Sequence, residues 1–411
     1  MSASIVIAGT GHAGFQLAAS LRQEGHRGTI HLIGDEAGLP YQRPPLSKAY
    51  LLGKTDADGL RFRPQKFFDD HAITLVQGRV AAIDRTNRTV AVDDGSTFGY
   101  EHLVLALGAH NRRLPVPGSG LDGVFGLRTQ ADADQLAARL QSARDVIVCG
   151  AGFIGLEFAA VARAKGCSVH VLELEGRAMA RAVSAETSQC FREAHEAQGV
   201  NFDFGQGLAR IESATGQSVS HVVTTAGLRL PADLVIVGIG VLPNTLLAAE
   251  AGLEIEDGIK VDEVLLSSDP NISAIGDCAS FHSVHAGRRL RIESVQNATD
   301  QARCVAQRLM GKTPAAYGAL PWFWSDQGAM RLQIAGLAQG TDATVVVGDR
   351  PAQRFSVLCF RHDRLIAVES VNMAADHMAA RKLLAGRTAL TPREASAAGF
   401  DLRAFEVASR G

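Results

Sequence analysis

The stretch Ser4-Ile-Val-Ile-Ala-Gly9-Thr-Gly11-His-Ala-Gly14, continued by FQLAASLRQEG to Gly25, reads as a strand, a tight turn and a helix. Its three glycines have separate tasks. Gly9 permits the turn, Gly11 lets the backbone approach a pyrophosphate, and Gly14 lets the helix pack closely on the strand, leaving the positive helix terminus facing the phosphates. A second strand, Thr29-Ile-His-Leu-Ile-Gly34, ends at Asp35 and Glu36, where a carboxylate accepts hydrogen bonds from an adenosine ribose. Asp35 is assigned that role.

The pattern is repeated. Val146-Ile-Val-Cys-Gly150-Ala-Gly152-Phe-Ile-Gly155 again follows a strand and opens a helix, and Ser168-Val-His-Val-Leu172 is a further strand ending at Glu173. Two complete units predict two bound dinucleotides. The Glu173 carboxylate would repel the 2′-phosphate of NADPH and bond the free hydroxyls of NADH, which favours NADH. Arg177 and Arg181 follow closely; they either hold a phosphate or are solvated residues of a loop or helix.

Around these units the composition sets limits. The 411 residues, 46% hydrophobic and 20% charged, suit a globular protein of two or three domains. A net charge of -2 excludes a globally basic nucleic-acid binder while leaving room for local basic patches. MSASIVIAGTG enters its first strand with no basic or signal-length apolar segment, which reads as cytoplasmic. The run LVIVGIGVL at 234–242 is too short to span a membrane and reads as a buried strand. The six cysteines, Cys149, Cys167, Cys190, Cys278, Cys304 and Cys359, form no CxxC or ferredoxin-like cluster, so an iron-sulfur centre must sit elsewhere. Cys278, His282 and His285 have zinc-like spacing without a fourth ligand nearby, and no metal site is assigned.

Several separated motifs together carry a resemblance. They are GTGHAG at 9–14, PPLSKAYL at 44–51, GAGFIGLEFA at 150–159, LPADLVIVGIGVLPN at 230–244, SDPNISAIGDCA at 268–279, RIESVQNA at 291–298 and PWFWSDQ at 321–327. With them the chain resembles, over nearly its whole length, the FAD-containing ferredoxin reductases of bacterial oxygenase systems, the putidaredoxin, rubredoxin and biphenyl-dioxygenase reductases.

The resemblance implies a glutathione-reductase-like α/β fold with two Rossmann-type nucleotide-binding domains and a C-terminal α+β domain. An FAD-binding domain would comprise residues 1–111 and 241–318, an NAD-binding domain 112–240, and the C-terminal domain 319–411. LALGAHNRRLPVPG at 105–118 matches the first crossover, with Leu107 where such proteins often carry Thr. Residues 268–279 are expected to form a strand ending at Gly276-Asp277, whose carboxylate would bond the flavin ribityl chain.

Residue by residue, the resemblance places FAD against Ala13, Asp35, Arg43, Lys48, Val80, Arg128, Asp277 and Val295. Arg43 and Arg128 suit a pyrophosphate, and Val80, in the strand-like GRVAAID, suits the adenine. It places NADH against Gly150, Gly152, Ile154, Gly155, Glu157, Glu173 and Gly240. Lys48 paired with Glu157 would stabilise the charge that develops as hydride reaches the flavin; the alternative is a structural ion pair. Trp322, from the only tryptophan pair in the chain, would cover the flavin, or else belong to the core with Trp324.

The expected activity is that of an NADH-dependent flavoprotein reductase passing electrons singly to a two-iron two-sulfur ferredoxin, or to rubredoxin, for a monooxygenase or dioxygenase. Residues 38–48 contain no cysteine, which disfavours dithiol chemistry. Arg288, Arg289, Arg291 and Arg303 are candidates for docking an acidic ferredoxin, against the reading that each is a solvated charge. The other readings are a reductase of quinone, monodehydroascorbate or oxygen, and a redox-dependent interaction flavoprotein resembling apoptosis-inducing factor.

Overall fold

The computed structural model describes residues 4–312 and 316–410. The first three residues, on which the reading of the N-terminus partly rests, lie outside them. By internal packing the chain divides into two units. One holds the chain up to Gln42, Asp58–His110 and Leu242–Pro321; the other holds Arg43–Ala57, Asn111–Val241 and the chain from Trp322 onward.

The first unit is built on a five-stranded parallel sheet in the order Ile272–Ala274, His102–Leu105, Ile5–Ala8, Ile30–Gly34, Ile73–Gln77. Ile5–Ala8 and His102–Leu105 are buried at every position, as expected of strands covered on both faces. The helix His12–Gln23 turns Ala13, Leu17, Ala18 and Leu21 into this core, and Val295–Leu309 packs beside it through Ala298, Ala302, Val305 and Ala306. Small residues let the two helices approach closely. A three-stranded antiparallel sheet, Val80–Asp84, Thr89–Val92 and Thr97–Gly99, is appended.

The second unit repeats this plan. Its parallel sheet runs Val200–Phe204, Ser168–Glu173, Asp145–Cys149, Leu234–Val237, Val124–Phe125, again with an antiparallel three-stranded addition, Leu208–Glu212, His221–Thr224 and Arg229–Pro231. From Trp322 the chain forms a five-stranded antiparallel sheet, in the order Trp322–Gln327, Met330–Gly336, Arg364–Val371, Arg354–Arg361, Ala343–Asp349, followed by the helix Ala374–Ala385 and two shorter ones. The α/β class with a C-terminal α+β region is therefore the fold.

Two local expectations are corrected. LVIVGIGVL is not one strand: it breaks into Leu234–Val237 and Val241–Pro243. The break falls where Gly238 lies against the second glycine turn, a side chain on it meeting the Cys149 carbonyl and the Gly155 backbone at 3.4 Å. Likewise the strand before Asp277 stops at Ala274, and Gly276–Cys278 is a short 3-10 turn.

Candidate active site

In the first unit the glycine turn is shaped by three different constraints. Gly9 has φ +115°, a conformation that L side chains rarely adopt, and a Cβ on it would collide with the Ala106 carbonyl. A Cβ on Gly14 would collide with the Gly9 carbonyl. At Gly11 the same atom meets nothing within 4 Å. The protein's own packing therefore does not require glycine at Gly11. Gly11 is the N-cap of His12–Gln23, has no side-chain cap, and is followed by no acidic residue in the first turn. Such a terminus keeps its amide donors and positive end for an anion.

Two further expected FAD residues of this unit, Asp35 and Asp277, follow glycines that lie against the turn. Gly34, immediately before the exposed Asp35, would drive a Cβ into Thr10. Gly276 lies against Ala13, a Cβ on it coming within 3.1 Å of the Ala13 methyl, and its amide donates to Gln301 Oε1 at 2.7 Å. Asp277 follows it, half-buried, with its carbonyl accepting from Arg291 at 3.1 Å. Val295 opens the helix that bears Gln301, and Val80 begins the appended sheet. The donor set and the open cradle fit the pyrophosphate and ribityl chain of FAD.

The second unit has the same geometry. Gly150 has φ +98° and would set a Cβ 2.6 Å from the Gly238 carbonyl; Gly155 would collide with the Gly150 carbonyl; Gly152, the uncapped N-cap of Phe153–Ala164, has only that Gly238 oxygen near, at 3.9 Å. Glu173 accepts from the Ala151 amide at 2.7 Å and the Glu175 amide at 2.9 Å, so its carboxylate is tied to the rim of the turn. Gly240 accepts from the Arg112 amide at 2.9 Å, close to Arg181. Arg177 is occupied otherwise: it donates to the carbonyls of Ala180 and Ser184. Ile154, at the helix opening, is an apolar side chain left 45% exposed. This cradle fits NADH.

Also in this unit, Pro44–Ser47 forms a 3-10 turn started by prolines whose fixed φ sets its direction, and it presents Ser47 and Lys48 side by side. Lys48 Nζ lies 2.9 Å from Glu157 Oε1, with Lys48 19% and Glu157 only 2% exposed. Ser47 Oγ donates to Glu157 Oε2 at 2.5 Å, and Ser325 Oγ to Glu157 Oε1 at 2.6 Å. Burial pushes the Glu157 pKa up, while Lys48 and then the two hydroxyls oppose the rise. Ser47 and Ser325 were not singled out in the sequence, although both lie inside quoted motifs. Arg43 and Arg128 are brought together here, the Arg43 guanidinium donating to the Arg128 carbonyl at 2.8 Å. Trp322 packs against Trp324 and His377, with the Arg381 guanidinium 4.6 Å from its ring centroid.

Three of the four basic docking candidates have acidic company. Arg291 pairs with Glu293 at 2.7 Å and Asp257 at 3.2 Å, and Arg289 reaches Glu256 at 3.5 Å while donating to the Val261 and Ser280 carbonyls. Arg303, 59% exposed, meets Asp300 at 3.5 Å. No cysteine pair accompanies either cradle: all six thiols are free, with Cys149 pushed up to about 12 and Cys278 to about 11 by burial. Neutral, buried thiols are poor nucleophiles. No helix of the described residues is long and apolar enough to cross a membrane.

Two dinucleotide cradles followed by an antiparallel C-terminal sheet define a two-nucleotide oxidoreductase. Residues 3–302 match the family model described as pyridine nucleotide-disulphide oxidoreductase and residues 322–406 the one described as reductase C-terminal; the chain belongs to this family. It is an oxidoreductase that uses FAD and NADH. Rhodocoxin reductase of Rhodococcus erythropolis is 51% identical over 401 residues, 97% of this chain and 93% of that protein. The ferredoxin reductase for the CYP199A2 system from Rhodopseudomonas palustris superposes with a TM-score of 0.95 at 51% identity, covering 98% of this chain and 99% of the other. The reductase of a covalent putidaredoxin reductase-putidaredoxin complex gives 0.96 at 38% identity, covering 100% and 99%.

Proposed function

We propose that this protein oxidises NADH and passes the electrons singly to a two-iron two-sulfur ferredoxin, or to a rubredoxin, that supplies an oxygenase. The observation that carries the reading is the combination of two nucleotide cradles with six unpaired thiols. A dithiol exit is missing from the chemistry, which suits a one-electron carrier. The likeness to rhodocoxin reductase and to the reductase of the putidaredoxin complex supports the same acceptor class.

Bound FAD supplies the exchange between a two-electron hydride donor and one-electron acceptors. The chain's own residues do the rest. Gly11 and Gly152, with the helix termini they open, hold the phosphates; Asp35 and Glu173 hold the riboses; Glu173 also repels a 2′-phosphate; Asp277 orients the ribityl chain. Lys48 stabilises the charge that develops as hydride is delivered, and Glu157 orients Lys48. Arg43 and Arg128 neutralise phosphate charge, and Trp322 shields the redox ring from water. An NADH-oxidising role and the free thiols support a cytoplasmic setting.

A steady-state comparison tests the proposal. Rapid NADH-driven reduction of a purified two-iron ferredoxin, with slow turnover of oxygen and quinone, is expected. Quinone or oxygen turnover that outruns ferredoxin would replace it with a small-acceptor reductase, and a long-lived reduced complex with negligible turnover would replace it with an interaction flavoprotein.

A further inference from the structure

The strand Trp322–Gln327 places Ser325 and Gln327 two residues apart and therefore on one face, and both are buried. Ser325 Oγ contacts Glu157 Oε1 at 2.6 Å, Gln327 Nε2 contacts Ser325 Oγ at 3.2 Å, and His195 Nε2 contacts Gln327 Oε1 at 2.9 Å. His195 belongs to the helix Ala185–Ala197 and is also buried. Its Nδ1 is buried without a hydrogen-bond partner. A proton there would be a stranded donor, so the neutral ring carries its proton on Nε2 and donates to Gln327.

The three links then run in one direction. His195 donates to the Gln327 oxygen, the Gln327 amide donates to Ser325, and the Ser325 hydroxyl donates to the Glu157 carboxylate. Such a chain polarises each member toward the anion at its end. All three members are neutral, so they orient Glu157 without competing with Lys48 as its counter-charge. A buried polar run is costly compared with apolar packing unless its members are satisfied. Gln327 Nε2 also reaches Met179 Sδ at 3.6 Å, and the run ends at the Glu157 carboxylate.

We propose that Ser325, Gln327 and His195 are positioning residues that hold the Glu157 carboxylate on Lys48, so that the C-terminal region supplies part of the hydride-transfer machinery. The inference rests on the assignment of Lys48 and Glu157 made above. Among the described residues, the groups that bond Glu157 are Lys48, Ser47 and Ser325, and of these Lys48 is the charged one.

The test uses the full-length FAD-loaded protein in stopped-flow reduction by NADH across acid to alkaline pH, with Ser325→Ala, Gln327→Met, Glu157→Gln and the double variant Ser325→Ala/Glu157→Gln. Ser325→Ala is expected to lower the limiting rate about tenfold, as for loss of a hydrogen bond to a charged group, and Gln327→Met, which loses only neutral hydrogen bonds, by about threefold, with NADH dissociation changed by less than about twofold in both. In Ser325→Ala the acid limb moves to higher pH, because Glu157 loses a donor to its ionised form. The double variant is expected to be no slower than Glu157→Gln alone, since Ser325 acts through that carboxylate. Independently of turnover, 15N spectra of the histidine-labelled wild-type protein should show His195 as the neutral ring protonated on Nε2. Unchanged rates in Ser325→Ala beside a slow Glu157→Gln, additive losses in the double variant, or another His195 tautomer would each overturn the inference alone. A Glu157→Gln protein reduced at the wild-type rate would instead remove the underlying assignment, and the inference with it.

Discussion

Lys48 and Glu157 meet at 2.9 Å with unequal burial: the ammonium keeps partial access to water, whereas the carboxylate is enclosed by Lys48, Ser47 and Ser325. The two ends of the pair are therefore not equivalent. Lys48→Met leaves an enclosed carboxylate with two hydroxyls and no counter-charge, a loss of about 3 kcal/mol. Glu157→Gln leaves a lysine that can still turn toward water, at about 1 kcal/mol. Thermal melting should rank Lys48→Met below Glu157→Gln, while flavin reduction by NADH falls about tenfold to a hundredfold in both. A pair that is only structural would lower the melting temperature and leave the reduction rate of the folded fraction intact.

The two glycines of the first turn should fail in different ways. A Cβ at Gly14 strikes the Gly9 carbonyl, so Gly14→Ala must push the helix His12–Gln23 away from its strand and cost folding itself. At Gly11 the added methyl meets no protein atom within 4 Å. Gly11→Ala is expected to fold with a wild-type circular dichroism spectrum and a melting temperature equal to that of the flavin-free wild type, yet to purify with little FAD. Full flavin content in Gly11→Ala would show that the open space is not where the pyrophosphate lies.

These contrasts also explain what could be read from the chain before its structure. The strand, glycine turn and helix at Gly9–Gly14 and Gly150–Gly155 were legible because local spacing alone sets turn, approach and packing. Lys48 and Glu157 are far apart in sequence, and only the resemblance joined them. Ser325 and Gln327 were hidden: in PWFWSDQ the tryptophans draw the eye, and alternating Ser and Gln in a strand looks like a solvated face. Whether such a face is wet or enclosed depends on what packs over it, here the helices bearing Glu157 and His195, and no local pattern encodes that. Arg43–Ala57 shows the same difficulty, since a segment flanked by the first nucleotide fold packs with the second unit.

Within the first unit, His102 gives stability a pH dependence of definite sign. Its ring contacts Ser273 Oγ at 2.8 Å, and burial, then the neighbouring Arg308, lower its pKa from 6.5 to about 3. Between those values the unfolded chain binds a proton that the folded one refuses. The contribution of neutral His102 is therefore complete above pH 6.5 and is lost as pH falls toward 3, at about 1.4 kcal/mol per pH unit. Urea unfolding followed by flavin release should show a wild-type loss between neutral pH and pH 5 that exceeds that of His102→Gln by about 2 kcal/mol. Parallel losses in the two proteins would mean that other groups, such as His377 with its pKa lowered to about 4, carry the acid sensitivity.

Arg303 is an exposed docking candidate better suited to an acidic partner than Arg289 or Arg291. Arg289 and Arg291 hold the fold through carbonyls and the carboxylates of Glu256, Asp257 and Glu293, so reversing them would damage local structure before it altered any encounter. Arg303 projects from the middle of Val295–Leu309, mostly exposed, and its ion pair with Asp300, at 3.5 Å, is a loose contact one turn away that contributes little. Arg303→Glu should therefore fold normally and keep its rate with a small dye. Its rate with ferredoxin should fall at low salt and converge on that of wild type as salt screens the encounter. Equal losses with dye and ferredoxin, or a ferredoxin defect indifferent to salt, would place the acceptor elsewhere on the surface.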